Sequence, residues 1–271
     1  MNNLIKKIIE SDKRYRLTTR LHEIFNNYLN PKPIFVFGCQ RSGTTLIQKI
    51  LKLSPCIRSY GEGDKPYFIE TNDGGIRLVN TDSLKQLISR ESNKYILLKP
   101  LCDSQNAAKL INEFNSPAIW IYRNYTDVID SHIKYYKYDA CSYLDNILSP
   151  DINWMNEYID KDTVDIIKNL STTSPADCYA LFWYARNSII LNIYKNTNIL
   201  VINYDDLVSS PYLVCKSIYN YIDVPFMDYY SSIIYSKSYK KSVNFTLNDN
   251  IKRLCHELYI ELNKISRMSV L

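Results

Sequence analysis

The sequence has few histidines, no paired cysteines and no long apolar run, and each of these absences excludes a class of protein. Its three histidines (His22, His132 and His256) are too far apart along the chain to suggest a metal site. The seven cysteines form no CxxC pair, which argues against zinc or a disulfide framework and favours reduced thiols in the cytosol. No apolar stretch approaches the ~20 residues of a membrane-spanning helix, and no signal peptide is recognisable at the N-terminus. We therefore expect a cytoplasmic protein that binds no metal.

The net charge of +5 is mild, and its most conspicuous basic residues lie near the N-terminus. They alternate there with apolar residues, which predicts an amphipathic helical segment in residues 1–30. Such a helix either packs on the domain or contacts a membrane surface or partner. The chain shows neither a continuous basic stripe nor an aromatic RNA-binding motif, so nucleic-acid binding is not expected. The basic residues of this segment are Lys6, Lys7, Lys13, Arg14, Arg16 and Arg20.

Short apolar runs alternate with helical patterns along the chain, and this alternation predicts a single α/β domain spanning residues 1–271, with a central parallel sheet flanked by helices. Ligands of such sheets bind beyond the carboxyl ends of the strands. Residues 138–175 fit the alternation poorly and are interpreted as a partly helical excursion over the acceptor site. The predicted strands are 34–37, 95–98, 118–122 and 199–202, and the predicted helices are 44–53, 104–114, 127–136 and 176–196.

The first predicted strand is followed by the loop Gly38-Cys39-Gln40-Arg41-Ser42-Gly43-Thr44-Thr45, which leads into an apolar helix. Two glycines at this spacing, followed by a helix N-terminus, are typical of a phosphate-binding loop. A Walker A loop would have lysine where Thr44 stands, so Arg41 is the cation of this loop. The strand 118–122 ends at Arg123, where a nucleotide-hydrolysing enzyme often has a magnesium-binding acid. A second anion is therefore expected there rather than a metal.

This loop, and the motif Arg123-Asn124-Tyr125-Thr126-Asp127 with Ser131 eight residues after the arginine, resemble the motifs of the sulfotransferases that depend on 3′-phosphoadenosine-5′-phosphosulfate (PAPS). The resemblance implies a P-loop NTPase-like sulfotransferase fold, in which the first loop holds the 5′-phosphosulfate and the second motif holds the 3′-phosphate. The family usually has proline where Tyr125 stands. Tyr204, after the last predicted strand, corresponds to a tyrosine near the adenine, with plain packing as the alternative. The implied cofactor-binding residues are Arg41, Ser42, Gly43, Thr44, Thr45, Arg123, Ser131 and Tyr204.

The family's C-terminal Arg-Lys-Gly segment is absent from this chain. Ser236 and Lys237, with Lys240 and Lys241 nearby, are candidates for the missing cofactor contacts. The alternative is a solvated cluster of lysines.

Two residues are candidates for catalysis. Lys99 follows the strand 95–98. The resemblance implies that it neutralises negative charge on the departing 5′-phosphate. Many family members have a histidine base where Leu101 stands. Here the Gly61-Glu62 pair resembles the tyrosylprotein sulfotransferase branch, which implies that Glu62 is the base. Asp64 and His132 are the rival bases.

The resemblance implies sulfuryl transfer from PAPS to a hydroxyl or a nitrogen of a small natural-product acceptor, with 3′,5′-ADP as the second product. A P-loop kinase and an inactive nucleotide-binding protein are the alternatives. Acidic residues are frequent between Asp139 and Asp165. If this stretch borders the acceptor site, it favours a cationic acceptor; otherwise it is a solvated acidic face.

Overall fold

The computed structural model describes residues 30–71, 75–135, 140, 141, 144, 145, 161–170, 172, 174–234 and 245–270. Five strands in this part of the chain form one parallel sheet in the order β2-β5-β1-β6-β7, and two more form a small antiparallel hairpin. The expected α/β fold with a central parallel sheet is thereby confirmed. The strands are β1 Lys32–Gly38, β2 Ile57–Tyr60, β3 Phe68–Glu70, β4 Ile76–Leu78, β5 Tyr95–Leu98, β6 Ala118–Tyr122 and β7 Ile199–Asn203.

The central strands are buried on both faces, which is why they appear in the sequence as continuous apolar runs. All four predicted strands are confirmed, two of them with the predicted bounds. Side chains of β1 alternate between two cores: Phe35 and Phe37 pack on one face, and Ile34 and Val36 on the other. Only the first residue of β2 is buried, so this polar edge strand escaped a search for apolar runs.

Helices cover both faces of the sheet. The predicted helix 104–114 is in fact a 3-10 helix, Leu101–Asn106, followed by an α-helix. None of the described helices is long and apolar enough to span a membrane. The α-helices are α1 Thr44–Leu51, α2 Thr81–Ser89, α3 Ala107–Phe114, α4 Tyr125–Tyr135, α5 Lys161–Asn169, α6 Pro175–Ile193, α7 Tyr204–Ser209, α8 Pro211–Tyr221 and α9 Asp249–Val270.

Two segments predicted from the sequence, one N-terminal and one in the middle of the chain, lie mostly outside the described residues. The basic segment of residues 1–29 lies outside the described residues. So does most of the excursion 138–175, whose described part includes helix α5, and its role at the acceptor site stays a prediction.

The cysteines correct one expectation. Cys141 and Cys178 form a disulfide although they are 37 residues apart. Their Cα atoms lie 5.2 Å from each other because residue 141 is brought back onto the first turn of α6. Disulfide formation depends on this spatial separation and not on spacing along the chain, so scattered single cysteines do not exclude it. The other five cysteines keep their thiols.

Candidate active site

Every strand of the central sheet is followed by at least one of the predicted site residues. Lys99 and Arg123 come directly after β5 and β6, and Tyr204 comes directly after β7. Glu62 stands two residues beyond β2, and the glycine-bounded loop follows β1. Because all five strands run parallel, their carboxyl ends meet at one edge of the sheet. Residues from five separate stretches of sequence are thus gathered there.

Gly43 is required by the shape of the phosphate loop. It precedes α1 with φ 102, and a β-carbon built on it would lie 2.4 Å from Cδ2 of Tyr204. Only glycine adopts this conformation readily and also fits against the ring. The Tyr204 ring therefore packs directly on the loop, which links the end of β7 to the loop after β1.

The loop presents unsatisfied donors at the start of α1. No side chain caps this helix, and the first-turn amides of Thr44 and Thr45 have no preceding helical carbonyl to bind. The Ser42 hydroxyl is fully buried and has no hydrogen-bond partner among the residues that the structure describes. Backbone amides at a helix N-terminus carry partial positive charge and bind phosphate groups. The loop therefore fits an anionic ligand.

The loop also touches the helix after β6. Nε of Arg41 donates a hydrogen bond of 2.8 Å to the Ser131 hydroxyl, 90 residues away in sequence. The Arg41 guanidinium lies 4.8 Å from the ring centre of Tyr135 on the same helix. The two motifs noted in the sequence thus meet in space, with a cation between them.

Arg123 is held from three sides. Its guanidinium donates to Oδ2 of Asp127 from Nε at 3.1 Å and from Nη2 at 2.9 Å. The same group lies 4.5 Å from the ring centre of Tyr204. Nε1 of Trp183 donates to the Arg123 carbonyl at 3.1 Å. An oriented guanidinium of this kind can bind phosphate in a bidentate manner.

Lys99 and Glu62 form an ion pair with a distance of 3.0 Å between Nζ and Oε2. The lysine side chain is 10% exposed and the glutamate 22%, so the carboxylate faces the solvent more than its partner does. A carboxylate in this position can accept a proton from a ligand while the adjacent ammonium stabilises an anion.

The segment that carries Glu62 is anchored by a pair of tyrosines. The hydroxyls of Tyr60 and Tyr67 both donate to Oε1 of Glu91 at 2.6 Å, and the two rings stack with their centres 4.2 Å apart. Burial and the hydrogen bond to Glu91 raise the pKa of Tyr60 to about 12. The tyrosines therefore stay protonated and keep donating at neutral pH.

The two rival bases have other surroundings. Oδ2 of Asp64 accepts a 2.6 Å hydrogen bond from the amide of Gly61 and so closes the turn that carries Glu62. His132 is only 4% exposed and packs against Tyr179 and Phe182. Burial lowers its pKa to about 4. Asp64 thus holds the turn and His132 packs among aromatic rings, whereas Glu62 is paired with Lys99.

Residues 31–264 match the model of a sulfotransferase domain. The chain belongs to the PAPS-dependent sulfotransferase family. The match covers most of the chain and identifies this protein as an enzyme. No curated protein matches the sequence.

Solved structures of sulfotransferases share the fold at low sequence identity. The sulfotransferase domain of the curacin biosynthetic pathway is 14% identical with a TM-score of 0.50, covering 84% of this chain and 98% of its own. The sulfotransferase domain of the Synechococcus PCC 7002 olefin synthase is 14% identical with a TM-score of 0.49 and coverages of 86% and 96%. Mouse sulfotransferase SULT7A1 complexed with PAP is 14% identical with a TM-score of 0.47 and coverages of 88% and 86%. At these identities the likeness concerns the fold alone.

One part of the sulfotransferase site was not predicted from the sequence. Asn203, the last residue of β7, caps α7 by accepting from the amide of Asp205 at 2.8 Å, and its Nδ2 donates to Asn263 of α9 at 2.8 Å. The Tyr259 hydroxyl donates to Asp205 at 3.2 Å. An asparagine directly before a helix is an N-cap signal that could have been recognised, whereas its contact with α9 could not.

Two predicted cofactor contacts of the sulfotransferase remain predictions. Ser236 and Lys237 lie outside the described residues. Among the residues that the structure does describe, no cluster of three or more metal-binding side chains occurs.

Proposed function

We propose that this sulfotransferase moves the sulfuryl group of PAPS to a hydroxyl or a nitrogen of a small-molecule acceptor and leaves 3′,5′-ADP. One observation carries the proposal. A loop fitted to an anion, a second oriented arginine and a lysine–glutamate pair stand together at one edge of the sheet. PAPS carries two phosphate-bearing ends, and sulfuryl transfer also needs a base and a cation at the reacting bond.

The chain's residues divide between the two ends of the cofactor. The amides of the loop, the Ser42 hydroxyl and Thr44 and Thr45 would hold the 5′-phosphosulfate. Arg123 and Ser131 would hold the 3′-phosphate, and Tyr204 would contact the adenine. The 2.8 Å contact between Arg41 and Ser131 supports this division, because it joins the loop proposed for the 5′-phosphosulfate to the helix proposed for the 3′-phosphate.

Glu62 and Lys99 would act on the reacting bond. Glu62 accepts the proton that the acceptor hydroxyl or amine loses as its oxygen or nitrogen bonds to sulfur. Lys99 donates to the 5′-phosphate oxygen, which keeps the electron pair when its bond to sulfur breaks. The ion pair supports both roles, because the ammonium orients the carboxylate and would neutralise the negative charge that develops on the 5′-phosphate.

The acceptor is proposed to be a small natural product. A cationic acceptor remains our prediction from the acidic residues between Asp139 and Asp165, most of which lie outside the described residues. A panel of amines, guanidines, phenols and alcohols would separate the nitrogen acceptors from the hydroxyl acceptors.

The test compares two ligands and one reaction. Thermal unfolding should shift upward with 3′,5′-ADP by more than with ATP and Mg²⁺, because a ligand that binds the folded state stabilises it by RT ln(1 + [L]/Kd). Sulfuryl transfer from radiolabelled PAPS to the panel should proceed equally with EDTA or Mg²⁺, since Thr44 and Arg123 replace the Walker lysine and the magnesium-binding acid. Preferential stabilisation by ATP and Mg²⁺, or transfer that EDTA abolishes and Mg²⁺ restores, would contradict the proposal.

A further inference from the structure

A buried serine joins the phosphate loop to the turn that follows Lys99. The last β1–β5 pair is Phe35 with Leu98, while β1 continues to Gly38 along β6 on its other side. Beyond Leu98 the chain leaves the sheet and forms the 3-10 helix Leu101–Asn106. The edge of β1 at Gly38 therefore has no strand β5 beside it.

Ser104 supplies the hydrogen bonds to Gly38 at the position beyond the end of β5. Its hydroxyl is fully buried and accepts a hydrogen bond from the amide of Gly38 at 3.3 Å. The hydroxyl proton lies within reach of the Leu101 carbonyl at 3.0 Å and of the Gly38 carbonyl at 3.3 Å. One side chain thus binds the residue that begins the phosphate loop and the turn that begins two residues after Lys99.

The 3-10 helix is hydrogen-bonded to two other elements. Arg186 of α6 is fully buried and donates to the Leu101 carbonyl and, at 3.2 Å, to Oε1 of Gln105. From the hairpin side, the amide of Leu78 donates to Asp103 at 2.8 Å. These bonds tie the 3-10 helix to α6 and to the hairpin, and so they orient the Ser104 hydroxyl towards Gly38.

We propose that Ser104 is a positioning residue for sulfuryl transfer, which holds the phosphate loop and Lys99 at one separation. The proposal rests on the proposed function, in which the loop binds the 5′-phosphate and Lys99 neutralises it. Both groups would act on the same phosphate from different elements. A change in their separation would therefore weaken contacts with that phosphate more than contacts with the 3′-phosphate.

Ser104→Ala tests the proposal by calorimetry with two ligands. The variant should bind 3′,5′-ADP about 10-fold more weakly or worse, since small displacements of positioned groups have large effects. Its affinity for adenosine 3′-phosphate, which lacks the 5′-phosphate, should fall by a smaller factor, because the hydrogen bonds of Ser104 go to Gly38 and Leu101 and not to Arg123 or Tyr204. In turnover assays kcat should fall while the KM for the acceptor is retained.

Ser116→Ala is the matched control. Ser116 is also buried but stands before β6, at the opposite end of the strand from the site. Within the described part of the chain its hydroxyl has no hydrogen-bond partner. This variant should bind both ligands as the unaltered protein does. If Ser104→Ala fails to fold, Ser104→Cys keeps the size but hydrogen-bonds only weakly, and it should show the same selective loss to a smaller extent.

Three outcomes would overturn the proposal. Unchanged binding of both ligands would show that Ser104 positions nothing, and equal losses for both would indicate a general loosening of the fold. If the unaltered protein binds 3′,5′-ADP no more tightly than adenosine 3′-phosphate, the proposed cofactor site itself is wrong, and the role of Ser104 falls with it.

Discussion

The Nζ atom of Lys99 lies 3.0 Å from Oε2 of Glu62, although 37 residues separate the two in the sequence. The sheet brings them together, because Tyr60 of β2 is paired with Leu98 of β5 and both strands end at the same edge. The pair is more shielded than a surface ion pair, so its attraction is less weakened by solvent. This geometry is the basis of the first prediction.

Replacing Glu62 with glutamine should reduce kcat and leave cofactor binding nearly intact. Glutamine keeps the size and the hydrogen bond to Lys99 but cannot accept a proton at neutral pH. General-base catalysis is typically worth ~10²–10⁴-fold, so Glu62→Gln should lower kcat by that order on a hydroxyl acceptor. Steady-state kinetics together with calorimetry of 3′,5′-ADP would measure both effects.

Asp64→Asn is the matched control for that substitution. Asparagine can still accept the hydrogen bond from Gly61, so the turn is kept while the rival carboxylate is removed. The control should retain kcat within about threefold, because a surface substitution that keeps its bonds has a small effect. A Glu62→Gln enzyme with more than half of the original kcat, beside an inactive Asp64→Asn, would reassign the base to Asp64.

Arg123→Ala should weaken the binding of 3′,5′-ADP at least ~10-fold, since losing a charged hydrogen-bond partner costs about 1.5–3 kcal/mol. Adenosine 5′-phosphate, which lacks the 3′-phosphate, should bind the variant and the unaltered protein with similar affinity. Arg90→Ala, at the exposed end of α2, is the matched control and should change neither ligand. Equal losses for both nucleotides in Arg123→Ala would argue against a 3′-phosphate site at Arg123.

Gly43→Ala should disrupt the phosphate loop, whereas Gly63→Ala should not. Both positions have positive φ, and a non-glycine residue there loses roughly 1–2 kcal/mol of stability. Only at position 43 would the new β-carbon strike a neighbour, at 2.4 Å from Tyr204; at position 63 nothing lies within 4 Å. We expect Gly43→Ala to melt at a lower temperature than Gly63→Ala and to lose affinity for 3′,5′-ADP, whereas Gly63→Ala should keep that affinity. Normal affinity in Gly43→Ala would show that the loop does not depend on this contact.

His132 should remain neutral well below physiological pH. Its buried position against Tyr179 lowers its pKa from 6.5 to about 4. NMR titration of the imidazole should show this value directly. A midpoint near 6.5 would mean that the ring is accessible to water and could still be a base.

The same pKa shift predicts how acid affects stability. Between about pH 6.5 and 4 the unfolded state binds more protons at His132 than the folded state does, so the free energy of unfolding falls as pH falls through this window. The loss amounts to roughly 3 kcal/mol, at about 1.4 kcal/mol per pKa unit. Denaturant unfolding of the native chain and of His132→Phe, which cannot titrate, should differ in pH dependence by this amount. Parallel curves would contradict the prediction.

The buried strands and the anion-binding motifs could be recognised from the sequence because both depend on local chemistry. A strand covered on both faces must be apolar throughout, which is why 95–98 and 118–122 were found with their bounds. A loop that wraps a phosphate needs glycines and a following helix, and both are visible in order along the chain. The half-exposed strand β2 has neither property and was missed.

Contacts between distant segments were decided only by the tertiary structure. Glu62 and Lys99 could each be recognised from the sequence, but their pairing could not. They form an ion pair because β2 lies beside β5 in the sheet. The Cys141–Cys178 disulfide and the hydrogen bond between Ser104 and Gly38 likewise depend on how distant segments pack together. Hydrogen bonds and disulfides require atoms within a few ångströms. The number of residues between two positions does not determine the distance between their atoms. That distance is set only when helices and strands have packed into one core.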